Sequence, residues 1–315
     1  MKVVFMGTPD FSVPALKAIA GKHDVTAVVT QQDRPKGRGH KMQFTPVKET
    51  AVELNIPVYQ PRKVKDKEFV EILRNLKPDV IVVIAFGQIL SKEILDLPKY
   101  GCVNVHASLL PKYRGAAPIQ WAVIDGEEYS GVTTMYMAEG LDTGDIIDTS
   151  VVKLRDDETG GSLFDALSQE GAKLIIETLD KLEQGTAERT KQDDSLSTYA
   201  GKITKELGNI DFSKPAVEIE RLIRGLNPWP SAYTTLNGKT LKIWKAKVEE
   251  GSTDKAPGEI MEVSKRGIKV ATGENFLILQ EIQLEGKKRM EVSAFLNGYE
   301  TVSYTHLTLP TNSRV

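Results

Sequence analysis

Four histidines are present in this 315-residue chain, and their settings differ enough to be sorted by elimination. His23 sits beside Asp24 in a helix-to-strand turn, His40 lies in a basic loop, and His306 falls in an atypical C-terminal stretch. His106 closes the run Cys102-Val103-Asn104-Val105-His106, which reads as a strand. Residues two apart on a strand point to the same side, so Asn104 and His106 stand together while Val103 and Val105 face the other way. A carboxamide in that position can donate to a developing oxyanion, and an imidazole can take and return a proton. Polar side chains on a strand that should be buried need partners or a task. The plain alternative, in which both hydrogen-bond into neighbouring loops, is equally open from composition alone.

Two loops add to the case. Ser108-Leu109-Leu110-Pro111-Lys112-Tyr113-Arg114-Gly115 is a turn rich in special residues that leads into a helix expected over Ala116–Asp125. Gly140-Leu141-Asp142-Thr143-Gly144-Asp145 sets a carboxylate between two glycines, in a loop where backbone can approach a ligand closely. An ordinary Asx turn accounts for Asp142 equally well. Cys102 is a conceivable nucleophile, but a small buried packing residue is the better reading.

The elements that must position these residues follow from periodicity. Strands are expected at Val3–Met6, Val25–Thr30, Val80–Phe86, Val103–His106 and Val132–Met137, with amphipathic helical stretches between them. Val80 to Ala85 is almost wholly apolar and β-branched, as in a parallel strand buried on both faces. The alternation predicts an α/β fold with a doubly wound, mostly parallel sheet, and ligands bind such sheets at the C-terminal ends of strands. A long helix follows, with Ser162 and Asp165 suggesting a capping box and Gly185 a stop. Short strands at Thr240–Lys245, Gly258–Val263, Gly267–Ala271 and Phe276–Ile282 predict a small OB-like β-barrel. The expected organisation is a catalytic domain over residues 1–189, a polar linker over 190–208 and a second domain over 209–300. Residues 301–315 carry one charged residue, Arg314, and are expected to be a non-native, sequencing-derived tail.

Composition narrows the class. The sequence has no apolar run near the ~20 residues a membrane helix needs, and its start reads as a first strand, not a signal peptide. One cysteine rules out an internal disulfide and a multi-cysteine metal site, so a cytoplasmic enzyme is expected. A net charge of −2 gives no whole-protein attraction to nucleic acid, so a polyanionic partner must meet a local basic patch. Such a patch exists between Gln31 and Thr50, where five basic residues face two acidic ones. A solvated loop is its ordinary explanation.

Taken together, the stretch from Asn104 to Gly115 and the Asp142 loop closely resemble the folate-dependent formyltransferase family, as do Gly7-Thr8-Pro9-Asp10-Phe11 and Ala85-Phe86-Gly87-Gln88-Ile89-Leu90. The resemblance implies an Asn-His-Asp constellation of Asn104, His106 and Asp142, using 10-formyltetrahydrofolate as formyl donor and no metal. Transfer would pass directly through a tetrahedral intermediate, with Asp142 either stabilising the imidazolium or ordering a water. Phe86, Gly87, Gln88, Ile89 and Leu90, just after the central strand, are placed to offer a pterin an apolar slot with backbone polar groups, although Phe86 alone reads as core. The resemblance adds Ser108, Leu109, Leu110 and Pro111 to the folate contacts.

Two further blocks are similar to the branch of that family whose acceptor is initiator methionyl-tRNA. Asp33-Arg34-Pro35-Lys36-Gly37-Arg38-Gly39-His40-Lys41 resembles its inserted loop, which implies tRNA contacts by Arg34, Lys36, Arg38, His40 and Lys41. Arg224-Gly225-Leu226-Asn227-Pro228-Trp229-Pro230 resembles the start of its C-terminal domain. The resemblance covers about Met1 to Tyr299; Gln32 and Trp121 are small departures, and a monomer without membrane attachment is expected. Competing readings are a nicotinamide oxidoreductase, a non-catalytic RNA-binding protein and a formyltransferase acting on a small-molecule amine. The first is disfavoured because Gly7-Thr8-Pro9-Asp10-Phe11 is not the glycine pattern that lets backbone reach a pyrophosphate.

Overall fold

The run Val80–Ile84 is the hub of the N-terminal architecture: all five residues are buried, and strands pair with it on both sides. The computed structural model describes residues 1–36, 41–298 and 307, with 34–36 and 41 described by backbone alone. Contacts divide the chain into two units. The first comprises Met1–Pro118, Tyr129–Lys153 and Phe164–Ala200; the second comprises Ile119–Glu128, Leu154–Leu163 and the residues from Gly201 onward.

The first unit is built on a seven-stranded sheet in the order Ile146–Lys153, Tyr129–Tyr136, Cys102–His106, Val80–Ile84, Lys2–Gly7, Asp24–Val29 and Val58–Tyr59. The last five run parallel, as the alternating pattern predicts. Tyr129–Tyr136 and Ile146–Lys153 run antiparallel, making the sheet mixed. The strand Ile146–Lys153 escaped the sequence reading because Asp148, Thr149 and Ser150 interrupt its apolar residues, as an edge position allows.

The long helix spans Gly160–Gln184. Its cap differs from the expected Ser162/Asp165 pair: Ser162 N–H donates to Thr159 Oγ1 at 3.0 Å, while Thr159 N–H donates back to Ser162 Oγ at 3.0 Å. This is the reciprocal logic of a capping box, with serine in the role usually given to glutamate. Gly185, at φ 71°, ends the helix where the sequence placed its stop. The polar stretch beyond it has structure of its own. Thr190 exchanges backbone hydrogen bonds with Ile146, and Tyr199–Ala200 forms a parallel ladder with Arg114–Gly115.

The second unit contains an antiparallel sheet in the order Ala232–Leu236, Lys239–Glu249, Phe276–Leu284, Gly267–Ala271, Ile260–Ser264, with Met290–Glu291 pairing on Phe276–Leu284. Asn237-Gly238 turns the first hairpin with both residues at positive φ, the conformation its right-handed twist demands. Ile219 and Ile223 of the helix Ala216–Gly225 join Leu241, Ile243, Leu279 and Ile282 in the core. Leu307 is buried in the same core, its N–H donating to Gly258 O at 2.9 Å. Among the described residues, no helix is long and apolar enough to cross a membrane.

Candidate active site

His106 stands at the C-terminal end of its strand and is 7% exposed. Its Nε2 lies 2.9 Å from Tyr113 O. A carbonyl only accepts, so Nε2 carries the proton and Nδ1 presents the lone pair of the neutral ring. Nδ1 faces Asp142 Oδ2 at 3.7 Å, beyond direct hydrogen-bond reach. Asn104, half-buried two residues earlier, pairs by backbone with Val83 and Met135. Among the described residues its carboxamide has no hydrogen-bond partner, which leaves both its donor and its acceptor to a ligand.

Asp142 reaches His106 by a reversal. Tyr136, where its strand ends, pairs with Val103 at the far end of the His106 strand, so the loop must fold back over the sheet. Asp142 takes φ 52° in that reversal, a left-handed conformation that aspartate tolerates better than most residues. Gly144 packs so tightly that a Cβ would stand 1.6 Å from Tyr136 O. The glycines flanking Asp142 were expected to admit a ligand; the close approach that Gly144 allows is to the protein's own backbone. Asp142 Oδ2 accepts from Gly115 N–H at 2.9 Å, so the carboxylate is held facing His106, whose strand also carries Asn104.

The run after Val80–Ile84 is held from behind. Phe86 is 2% exposed and its ring is core, but its carbonyl accepts from Thr8 Oγ1 and Gln31 Nε2, both at 3.1 Å. Gln88 points inward, its Oε1 accepting from Val64 N–H at 2.8 Å, whereas Ile89 is 86% exposed and Leu90 is buried. Gly87 has φ 81°. Among the described residues, the N–H groups of Gly87, Gln88, Ile89 and Leu90 find no hydrogen-bond partner. The Ser108–Pro111 turn is braced by buried Thr133, whose Oγ1 donates to Ser108 O at 2.7 Å and accepts from Leu110 N–H at 3.2 Å. Ser108 Oγ donates to Lys112 O; Leu109 and Pro111 are half-buried and Leu110 is buried.

The remaining candidates separate from this grouping. Arg34 and Lys36 lie on a short strand paired with one that begins at Lys41, while Arg38 and His40 lie outside the described residues. Cys102 is 2% exposed and its thiol is pushed up to about 12 by burial, which leaves a packing residue and no thiolate. Among the described residues, no group of three or more His, Cys, Asp or Glu side chains could hold a metal ion. A cavity of about 560 Å³ lined by Arg74, Lys77, Glu93, Asp96 and Lys99 shares no residue with the grouping.

One residue at this site has no role in the sequence analysis, and its partner Arg114 figures there only as part of the Ser108–Gly115 turn. Gln192 sits in the polar stretch taken for a linker, yet it is 6% exposed and binds the backbone of the Asp142 loop. Arg114 donates to Gln192 Oε1 through Nε at 3.0 Å and Nη2 at 2.7 Å. A lone glutamine among Asp193, Asp194 and Ser195 gives no signal; the bridge of Thr190 to Ile146 and the pairing of Tyr199–Ala200 with Arg114–Gly115 bring it inward.

Comparison with known proteins gives the class. A family model described as formyl transferase matches residues 1–179, and one described as formyl transferase, C-terminal domain, matches residues 202–300. The chain belongs to the formyl transferase family. It is 61% identical to the methionyl-tRNA formyltransferase of Agathobacter rectalis over 98% of this chain and 100% of that one. It is 56% identical to the methionyl-tRNA formyltransferase of Clostridioides difficile, over 95% of this chain and 97% of the other. Among solved structures, an N-formyltransferase from Helicobacter canadensis, in complex with folinic acid and dTDP-3-aminofucose, shares the fold at TM-score 0.66 and 20% identity, covering 92% of this chain and 100% of that one. HypX from Aquifex aeolicus, in complex with tetrahydrofolic acid, matches at TM-score 0.60 and 18% identity, covering 97% of this chain and half of its own.

Proposed function

We propose that the chain transfers the formyl group of 10-formyltetrahydrofolate to the amino group of methionine on initiator methionyl-tRNA, for translation initiation in the cytoplasm. The observation that supports the chemistry is the approach of Asp142 to His106, on a strand that also carries the free carboxamide of Asn104. The acceptor's identity is supported by full-length similarity to methionyl-tRNA formyltransferases, 61% for the relative from Agathobacter rectalis.

The amine nitrogen attacks the formyl carbon, forming the new C–N bond and placing negative charge on the formyl oxygen. The Asn104 amide donates to that oxygen, an effect typically worth ~10²–10³ in rate. His106 Nδ1 takes the proton lost by the amine, and Asp142 stabilises the resulting imidazolium across the 3.7 Å gap. Collapse breaks the bond between the formyl carbon and the folate nitrogen, which receives the proton from His106. No side-chain nucleophile is needed. The unpartnered N–H groups of Gly87 to Leu90 fit the acceptors on a pterin edge, with the Ser108–Pro111 turn completing the folate site.

In this reading residues 1–189 carry the chemistry, 190–208 connect, and 209–300 with Arg34, Lys36, Arg38, His40 and Lys41 meet the tRNA. The protein works as a monomer without a metal. Incubation with 10-formyltetrahydrofolate and methionyl-tRNA, followed by release and analysis of the aminoacyl group, should yield formyl-methionine. Formylation of a free amine or amino sugar at comparable kcat/KM, with methionyl-tRNA left unmodified, would overturn the acceptor assignment.

A further inference from the structure

We propose that Gln192 is a positioning residue for formyl transfer, fixing the Asp142 loop so that its carboxylate stands opposite His106. This rests on the functional reading of the Asn104–His106–Asp142 grouping. Gln192 Nε2 donates to Asp142 O at 2.8 Å and to Gly144 O at 2.7 Å. Its Oε1 accepts both bonds from Arg114. Both amide hydrogens and both oxygen lone pairs are used, at a side chain almost wholly removed from water. A buried amide so satisfied has one orientation, and it imposes that orientation on whatever it binds.

Gln192 holds Asp142 from two directions. It binds the backbone carbonyl of the aspartate itself, at the residue that makes the left-handed turn at φ 52°. It also fixes Arg114, the residue before the Gly115 N–H that holds Asp142 Oδ2. One side chain therefore bridges the loop carrying the carboxylate and the strand that grips it, a strand that also pairs with Tyr199–Ala200 and whose Arg114 also binds Asp194.

The simpler role for Gln192 is to share half-buried Arg114 with Asp194. Gln192→Glu separates the two. It keeps oxygen acceptors for Arg114 but replaces both N–H donors with lone pairs facing the Asp142 and Gly144 carbonyls. The expected result is a kcat about 10–100-fold lower, in line with the ~10² cost of a 1 Å misplacement, with KM for folate and for methionyl-tRNA within about twofold. In an Asp142→Ala background the same substitution should change kcat by less than about twofold, because nothing is left to position. Gln192→Met, similar in volume and without charge, is carried through the same cycle in case the glutamate variant fails to fold. Wild-type kcat in the folded Gln192 variants, or the same loss in both backgrounds, would overturn the proposal. Wild-type kcat in Asp142→Ala alone would instead overturn the reading of the site.

Discussion

At His106 the Tyr113 carbonyl settles which ring nitrogen is available, and that nitrogen faces a carboxylate it does not touch. His106→Ala removes the proton carrier and should lower kcat by ~10²–10⁴, while Asn104→Ala should lower it by ~10²–10³, each measured by single-turnover formylation with the thermal midpoint checked alongside. Loss of activity that tracked loss of folding would argue for the alternative in which the two side chains serve the fold and not the chemistry. Cys102 gives an independent check. Burial holds its thiol up at about 12, so the folded protein should resist iodoacetamide at pH 8 and react only once unfolded. The partnership of Asn104 with His106 was legible because strand periodicity alone implies it. Asp142 was not, since its approach to His106 depends on a loop reversal that no local pattern encodes; family resemblance supplied what spacing could not.

Elements that pack by apolar periodicity were legible, and elements held by polar backbone accounting were not. Val80–Ile84 announced itself through composition, whereas the edge strand Ile146–Lys153 and the stretch around Gln192 looked like loop because their hydrogen-bond partners are remote in sequence. Two substitutions probe such hidden framework. Gly144→Ala would press a Cβ to within 1.6 Å of the Tyr136 carbonyl, so the turn must open. It should lower kcat far more than it raises KM for folate, since the Asp142 loop is displaced while Gly87 to Leu90 are untouched; equal effects on both would show that the loop also shapes the folate site. Thr133→Val strips the brace from Ser108 O and Leu110 N–H, both deep in the protein. Leaving such groups unpaired costs about 1–3 kcal/mol apiece, so denaturant unfolding should shift by about 2–6 kcal/mol for the two, with a rise in folate KM if the Ser108–Pro111 turn contacts folate.

For the molecule as a whole, charge poses the sharpest question, because a chain with net charge −2 must hold a polyanion by local means. Basic residues are unevenly spread. The run from Arg34 to Lys41 is one cluster, and a second lies on Lys239–Glu249, where Lys242 and the neighbouring Arg289 stand over the Trp244 ring at 5.7 and 4.7 Å. Phosphate contacts release counterions, so KM for methionyl-tRNA should rise steeply with salt while KM for 10-formyltetrahydrofolate stays nearly flat between 50 and 200 mM, as an experimental range on the order of that used for such titrations. Arg38→Ala should weaken use of the tRNA and reduce the slope of log KM against log salt by about 0.7–0.9, the share of one phosphate contact. Trp244→Ala should weaken tRNA use with a smaller change in slope, since it removes a ring that orients cations and no charge. If Arg38→Ala instead raised both KM values equally and left the salt slope unchanged, the basic loop would belong to the folate site, and the route by which the acceptor is recognised would have to be sought on the second cluster alone.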